Sequence, residues 1–228
     1  MIVSHKYRFI FIKTLKTAGT SVEVFLSDHC SEDDIVTPVF PPEKSHVPRN
    51  HKGLWNPVYD LIEKDGRGIR RAARDLLARR KFYNHIPARI LRHRLPSDVW
   101  NNYFKFCIER NPWDKTLSHF HMVRERTGGV LTFDEYLASG KFCFNHPIYL
   151  DNNGDLLVDR VIRYESLSDE LAEVFSMLDV PYDGKLGVQA KSEHRRDKRP
   201  YTEVYSEASR KIVENAFRTE IRLHDYQF

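Results

Sequence analysis

The feature that most constrains the fold is a continuous apolar run followed directly by a polar loop that favours a turn. Residues 9–12 (FIFI) have the composition of a strand covered on both faces, where the alternation of apolar and polar residues disappears. Residues 13–19 are short and polar, and residues 20–26 resume an apolar spacing that suits a helix. The order strand, loop, helix predicts one unit of a parallel sheet.

The same order returns further along the chain. Residues 103–109 (YFKFCIE) predict another strand, and Pro112 suits the first turn of a helix that we expect to run through Arg124. This alternation predicts an α/β protein with an open parallel sheet and helices on both faces, whose ligands bind beyond the carboxyl ends of the strands. Further predicted elements are a helix with one apolar face at Ile69, Ala72, Ala73, Leu76 and Leu77, a short helix after the capping-box pair Thr132 and Glu135, a strand at 158–163 and helices at 168–178 and 206–219.

Length and composition set the limits of the organisation. A chain of 228 residues is in the range of one α/β domain, so we expect a single domain over 1–228. Residues 33–60 carry five prolines, and we expect this Pro-rich excursion to run over the surface. No stretch approaches the ~20 apolar residues of a membrane helix, and no signal peptide is evident, so we expect no membrane segment in this chain.

Charge and cysteine content argue against several classes of protein. The net charge of +4 is mild, and the basic helix at 67–81 lacks the interleaved aromatic residues of a single-strand nucleic-acid surface, so we expect no nucleic-acid partner. Cys30, Cys107 and Cys143 are odd in number and form no CxxC pair, which predicts neither a disulfide framework nor a zinc site. A reducing, cytoplasmic location fits best.

The loop after the first predicted strand has the features of an anion site. In KTLKTAGTS (13–21), the free N–H groups and the positive end of the following helix would surround an anion. Gly19 permits close backbone approach, Thr20 and Ser21 offer hydroxyl donors, and Lys16 supplies a mobile cation. The lysine precedes the glycine, so this is not a Walker A loop, and alone it also fits an ordinary turn that caps a helix.

A second segment, RNPWDKTLS (110–118), follows the second predicted strand. A helix that starts near Pro112 carries Ser118 on the side that faces Arg110, with Asn111, Asp114 and Lys115 along the same side. A strand-end arginine and a helix-borne serine can bind one phosphate. Alone, the segment also fits a solvated helix start with a salt bridge.

Together these two segments resemble the family of sulfotransferases that depend on 3'-phosphoadenosine 5'-phosphosulfate (PAPS). KTLKTAGTS is similar to the 5'-phosphosulfate loop of that family, and RNPWDKTLS to its 3'-phosphate motif. The resemblance implies a three-layer P-loop-like fold with a central parallel sheet flanked by helices, PAPS as co-substrate, the bisphosphate PAP as product, and no metal. The residues it implies are Lys16, Thr17, Ala18, Gly19, Thr20 and Ser21 for the 5'-phosphosulfate and Arg110 and Ser118 for the 3'-phosphate.

Two C-terminal segments extend the resemblance to nearly the whole chain except the Pro-rich excursion. DRVIRYESL (159–167) and HRRDKRPYTEVYSEASRKIVENAF (194–217) resemble the closing portion of soluble, carbohydrate-type sulfotransferases. They imply a carbohydrate hydroxyl as the acceptor, and a glycan with negative charge would suit a cationic rim. Arg195, Lys198 and Arg199 would close over the 3'-phosphate end, with a solvated basic loop as the alternative.

Sulfuryl transfer needs a base for the acceptor hydroxyl proton and a cation for the leaving phosphate. His85, in NHIP, is the first candidate for the base: its setting resembles that of the catalytic histidine in several family branches, and it follows residues 82–83, which we expect to end a strand. Glu23 and Glu109 are alternative bases. Lys16 would follow the negative charge onto the departing PAP.

Two other functions stay open at the level of sequence. A non-catalytic module that binds PAPS or PAP would carry the same two phosphate motifs, and a P-loop-type kinase would bind ATP with magnesium instead. The acceptor pocket would be formed largely by the Pro-rich excursion and the nearby basic helix. A lipid, a small alcohol or a peptide tyrosine would leave similar signals.

Overall fold

A sheet of five strands forms the centre of the protein. The computed structural model describes residues 1–62, 66–187 and 199–228. Across the sheet the strand order is β3-β1-β2-β4-β5; β2, β4 and β5 run parallel, and β1 is antiparallel to both β2 and β3. The strands are β1 (Ile2–Ser4), β2 (Phe9–Phe11), β3 (Ile35–Val36), β4 (Phe104–Glu109) and β5 (Arg160–Arg163).

Helices connect the strands and cover both faces of the sheet. Among the described residues, two short 3-10 turns, Tyr164–Ser166 and Tyr201–Glu203, add to the helices. No helix of the described residues is long and apolar enough to cross a lipid bilayer. The helices are α1 (Gly19–His29), α2 (Val58–Ile62), α3 (Gly66–Leu77), α4 (Ala88–Arg94), α5 (Ser97–Asn102), α6 (Pro112–Arg126), α7 (Phe133–Ala138), α8 (His146–Tyr149), α9 (Leu167–Met177), α10 (Glu207–Ala216) and α11 (Arg218–His224).

The two faces of the sheet pack into separate cores because neighbouring residues of a strand point to opposite sides. Ile10 and Cys107 face a core shared with α4, α5 and α8. Phe11, Phe106 and Ile108 face a core shared with α1 and α9. A third cluster lies between α6, α7 and α10. The result is three layers, with the sheet between two layers of helices.

The predicted α/β class with helices on both faces of a sheet is confirmed. The strands predicted at 9–12, 103–109 and 158–163 correspond to β2, β4 and β5, and these three are parallel as expected. The sheet is not parallel throughout, because β1 and β3 extend it on one side through antiparallel pairings. They have three and two residues, too few for a periodic sequence pattern. The single domain over 1–228 stays a prediction.

Three local predictions were wrong because tertiary packing decided them. The apolar face expected on α3 does not all face the core: Ala72 is buried, but Ile69 and Leu77 are 41% and 88% exposed. The helix expected at 206–219 is two helices that meet at the fully buried Phe217. Phe82 and Tyr83 have buried side chains, but they lie in an irregular segment before α4 and do not end a strand.

Replacement of Phe106 by alanine tests the packing of the central strands. The Phe106 ring is fully buried, with its centroid 5.8 Å from that of Phe9 and 5.2 Å from that of Phe11. We expect Phe106→Ala to lower the free energy of unfolding by about 3–5 kcal/mol, since a cavity replaces the ring. Urea denaturation measures this change. Val130→Ala, at a side chain that is 82% exposed, should stay within about 0.5 kcal/mol of the parent protein; a similar loss in both variants would contradict this account.

Candidate functional site

A cleft of about 910 Å³ opens beyond the carboxyl ends of the parallel strands. Residues 13–21 after β2, Arg110 after β4 and Tyr164 after β5 form its base, because the carboxyl ends of parallel strands meet at one edge of a sheet. The remaining described walls come from residues 84–85, one side of α6, Ser168 of α9, Phe40 of the Pro-rich excursion and several residues of 182–187.

Most of the residues singled out in the sequence line this one cleft. Whether each contacts a ligand stays a prediction. Arg199 is exposed and does not line the cleft, and Arg195 and Lys198 lie outside the described residues. The predicted residues that the fold brings together are Lys16, Thr17, Ala18, Gly19, Thr20, Ser21, His85, Arg110 and Ser118.

The loop between β2 and α1 is shaped as a backbone cradle. The Thr14 hydroxyl donates to the carbonyl of Ile108 and lies 2.8 Å from the Thr17 hydroxyl, which fastens the loop to β4. Lys16 and Ala18 have φ angles of 60° and 57°, in the left-handed region. Ala18 is the N-cap of α1 and makes no side-chain cap. The first turn of α1 therefore lacks side-chain capping, and its N–H groups suit an anion.

Gly19 is needed because a side chain passes very close to it. A Cβ atom at this position would lie 2.9 Å from Cγ of Lys13. Lys13 cannot move aside easily, because its buried Nζ lies 2.7 Å from Oε2 of the buried Glu23. The close approach predicted at Gly19 is thus made by Lys13 of the protein itself.

Glu23 and Glu109, the alternative bases, are fully buried and do not line the cleft among its described residues. Burial alone would raise the pKa of Glu23, but the positive charges of the Met1 amino group and Lys13 outweigh it and hold this pKa well below its usual value. Glu109 accepts a hydrogen bond of 2.8 Å from Lys115 Nζ. Both carboxylates are engaged in ion pairs inside the protein, and neither suits the role of base.

His85 lies at the wall of the cleft with one ring nitrogen committed. Its Nδ1 lies 3.0 Å from the backbone carbonyl of Lys13. A carbonyl only accepts hydrogen bonds, so Nδ1 carries the proton and Nε2 keeps its lone pair. Burial, together with the positive charges of Lys13 and the Met1 amino group, lowers the pKa of His85 to about 4. The ring is therefore a neutral group able to accept a proton at Nε2.

Arg110 bridges the two motifs. Its Nε and one terminal nitrogen lie 2.8 and 2.6 Å from Oδ2 of Asp114, and its other terminal nitrogen donates to the carbonyl of Lys16 over 3.1 Å. The guanidinium group also lies over the Tyr164 ring, 4.1 Å from its centroid. A phosphate that binds here would share the guanidinium fork with Asp114. Lys115 was expected on the same side of the helix. This prediction was wrong, because Lys115 is fully buried against Glu109.

Sequence reasoning assigned no role in the site to several lining residues. His119 lies in the cleft with Nδ1 2.7 Å from the Tyr136 hydroxyl, and burial, with the charges of Lys16 and Arg126, lowers its pKa to about 4. Met122 and Arg126 also line the cleft. They follow Ser118 at intervals of four residues, so helical periodicity could have identified them. The contribution of residues 182–187 has no such signal.

The residues that line the cleft include more positive than negative side chains, and of the positive ones Lys13 and Arg110 are paired with Glu23 and Asp114. None of its described lining residues is Asp or Glu. A cleft with one sign of charge and low-dielectric walls concentrates ligands of the opposite sign. The positively charged residues that line it are Lys13, Lys16, Arg110, Arg126 and Lys185.

Comparison with known proteins adds one relationship. No family model matches the chain. A protein of Archaeoglobus fulgidus, described as an uncharacterized protein, is 30% identical over 118 residues, which are 49% of this chain and 98% of the archaeal protein. This chain and the archaeal protein belong to one family. A crystal structure of a sulfotransferase from Alicyclobacillus acidocaldarius is similar at a TM-score of 0.42 and 17% identity over 96% of both chains. Likeness of this degree carries no conclusion about activity.

The protonation state of His85 is a direct test of the site geometry. We expect its ring to stay neutral with the proton on Nδ1 as the pH falls from 8 to about 5, because its pKa is lowered to about 4. The unfolded chain, with the ordinary pKa near 6.5, takes up this proton first, so the contribution of His85 to stability is lost as the pH falls from about 6.5 towards 4. Imidazole nitrogen NMR, assigned with a His85→Gln variant, measures the protonation state and the tautomer, and urea denaturation at several pH values measures the stability. Titration of the His85 signals near pH 6.5 would contradict the geometry.

Proposed function

We propose that this protein is a PAPS-dependent sulfotransferase that transfers a sulfuryl group to an acceptor hydroxyl by in-line displacement. The observation that carries this proposal is the meeting, in one cationic cleft, of both phosphate motifs and of a neutral histidine with an available Nε2. These parts come from distant segments of the chain, around residues 13–21, 85 and 110–118. Either motif alone also fits an ordinary helix start.

PAPS would lie along the base of the cleft. The backbone N–H groups and hydroxyls of residues 16–21 would bind the 5'-phosphosulfate at the start of α1, where the helix dipole favours negative charge. Arg110 and Ser118 would bind the 3'-phosphate that distinguishes PAPS from ATP. The contact between Arg110 and the carbonyl of Lys16 supports this arrangement, since it places the two phosphate motifs side by side.

The proposed reaction is a single displacement at sulfur. Nε2 of His85 accepts the proton of the acceptor hydroxyl, and the hydroxyl oxygen forms a new bond to sulfur. The bond between sulfur and the bridging oxygen of the 5'-phosphate breaks, and its electron pair leaves on that oxygen as PAP. Lys16 stabilises the charge that develops there.

A carbohydrate is the acceptor that we propose. This part of the proposal rests on the resemblance of the two C-terminal segments to carbohydrate-type sulfotransferases. Phe40, which is 79% exposed, brings the Pro-rich excursion to the rim of the cleft and supports an acceptor site there. The positive lining suits an acceptor that carries negative charge.

Recognition of the 3'-phosphate is tested by calorimetric titration with PAP and with AMP, which lacks that phosphate. We expect PAP to bind more tightly than AMP, and Arg110→Ala to weaken PAP binding by about 10- to 100-fold with little effect on AMP, since charge-assisted hydrogen bonds are lost. Arg124→Ala, at an exposed arginine of α6, serves as the matched control. Equal affinity for PAP and AMP would contradict the proposal. Preference for ATP with magnesium would also contradict it and would favour a kinase.

The role of the base is tested by His85→Asn. Asparagine tolerates the left-handed backbone of this position, where φ is 56°, so the loop should keep its shape. We expect sulfuryl transfer from labelled PAPS to a panel of carbohydrate acceptors to fall by about 10²- to 10⁴-fold, with the affinity for PAP nearly unchanged. The ring of His93 stacks on Tyr59 away from the cleft, so His93→Asn should keep full activity. Tight PAP binding without turnover in the parent protein would indicate a non-catalytic binding module.

A further inference from the structure

Asn145 bonds to the loop of residues 13–21, the phosphate loop of the proposed function, although Asn145 is not among the described residues that line the cleft. It precedes α8, and its side chain is fully buried. Its Oδ1 accepts the N–H of Leu15 over 2.8 Å, and its Nδ2 donates to the carbonyl of Leu15 over 3.0 Å. One amide thus satisfies both backbone groups of the residue that directly precedes Lys16.

The same amide continues to the second phosphate motif. Nδ2 of Asn145 also donates to Oε1 of Glu109 over 3.0 Å. That carboxylate oxygen accepts the backbone N–H of Arg110 over 2.9 Å. A hydrogen-bonded path therefore runs from Leu15 through Asn145 and Glu109 to Arg110, and it links the loop after β2 to the end of β4.

Hydrogen bonds hold the loop on both sides of Lys16. Beyond Ile12, whose N–H donates to the carbonyl of Phe106, the chain leaves the sheet. Lys16 then takes a left-handed conformation, which a non-glycine residue holds only when its surroundings fix it. Asn145 holds Leu15 on one side of this residue, and Arg110 holds the carbonyl of Lys16 on the other.

The pattern of contacts requires an amide. Leu15 presents one donor and one acceptor, and only a side chain with both functions in one plane can bind the two together. A carboxylate would lack the donor and would face Glu109, and an apolar side chain would leave the partly buried backbone groups of Leu15 without these partners. The backbone of Asn145 is bonded as well, since its backbone N–H donates to Glu220 Oε1 over 3.4 Å.

We infer that Asn145 is a positioning residue that holds the phosphate loop and Arg110 in register, so that nucleotide affinity depends on it without direct contact. The part of this inference that concerns PAP rests on the proposed function. The clamp on Leu15 does not depend on any ligand.

Hydrogen exchange in the ligand-free protein tests the clamp. We expect the amide of Leu15 to be protected in the parent protein, and the peptide over residues 13–20 to exchange about tenfold faster or more in Asn145→Ala. Residues 26–29 at the end of α1 should be unaffected. Asn153→Ala, in an exposed turn, should leave the loop unchanged. An unprotected Leu15 amide in the parent protein, or equal exchange in both variants, would overturn the inference.

Titration with PAP tests the consequence for the ligand. We expect Asn145→Ala to bind PAP about 10- to 100-fold more weakly. In Asn145→Ala combined with Arg110→Ala, the loss should be smaller than the product of the two single losses, because both variants break one path. Val213→Ala, a cavity variant in the third core cluster, controls for loss of stability and should keep full affinity. Asn145→Ser, which keeps a hydroxyl too short to bind both groups of Leu15, replaces Asn145→Ala if that variant does not fold.

The outcomes separate this inference from the proposed function. If the parent protein fails to bind PAP, the proposed function is wrong, and hydrogen exchange still decides whether Asn145 clamps the loop. If the parent protein binds PAP, Arg110→Ala loses it and Asn145→Ala keeps it, the positioning role is wrong and the proposed function survives. An affinity loss in Val213→Ala equal to that in Asn145→Ala would also overturn the positioning role, since general loss of stability would then explain both.

Discussion

The buried ion pair between Lys13 and Glu23 is the interaction on which the site depends. Charges removed from water are tolerated only when they are paired, so the pair fixes the Lys13 side chain in one position. That side chain then leaves room only for a glycine at position 19, where α1 begins. The backbone carbonyl of the same lysine binds His85 and selects its tautomer. The start of α1 and the state of the histidine are therefore set together.

The parallel pairing of β2 and β4 supplies the second constraint. It brings the loop of residues 13–21 beside Arg110, about a hundred residues later in the chain, because the carboxyl ends of neighbouring parallel strands share one edge. The buried carboxylate of Glu109 lies directly below this edge and accepts hydrogen bonds from Arg110, Lys115 and Asn145. A polar network of this kind holds the loop of residues 13–21 and Arg110 at a fixed separation, and the cleft lies above it.

Sequence reasoning succeeded where a local pattern matched the tertiary environment. The continuous apolar run of β2 and the Pro112 start of α6 depend on residues close together in the chain, and both were identified. It failed where packing chose between equal local options. The exposed Leu77 of α3 and the buried Phe217 between α10 and α11 have ordinary helical spacing, and only their neighbours decide which side is covered. Strands as short as β1 and β3 are defined by their partners alone.

The sequence by itself determined the three parallel strands and the loops and helices that follow β2 and β4, because hydrophobic period, turn residues and charge are local properties. It also indicated two segments whose residue types suit a phosphate. Tertiary structure alone decided which polar groups face the cleft. Lys115 and Ser118 lie on one helix, yet the first is buried against Glu109 and the second lines the cleft. The tautomer of His85 and the contacts of Asn145 also come from residues distant in the chain, since a side chain acquires its partners only when the chain has folded.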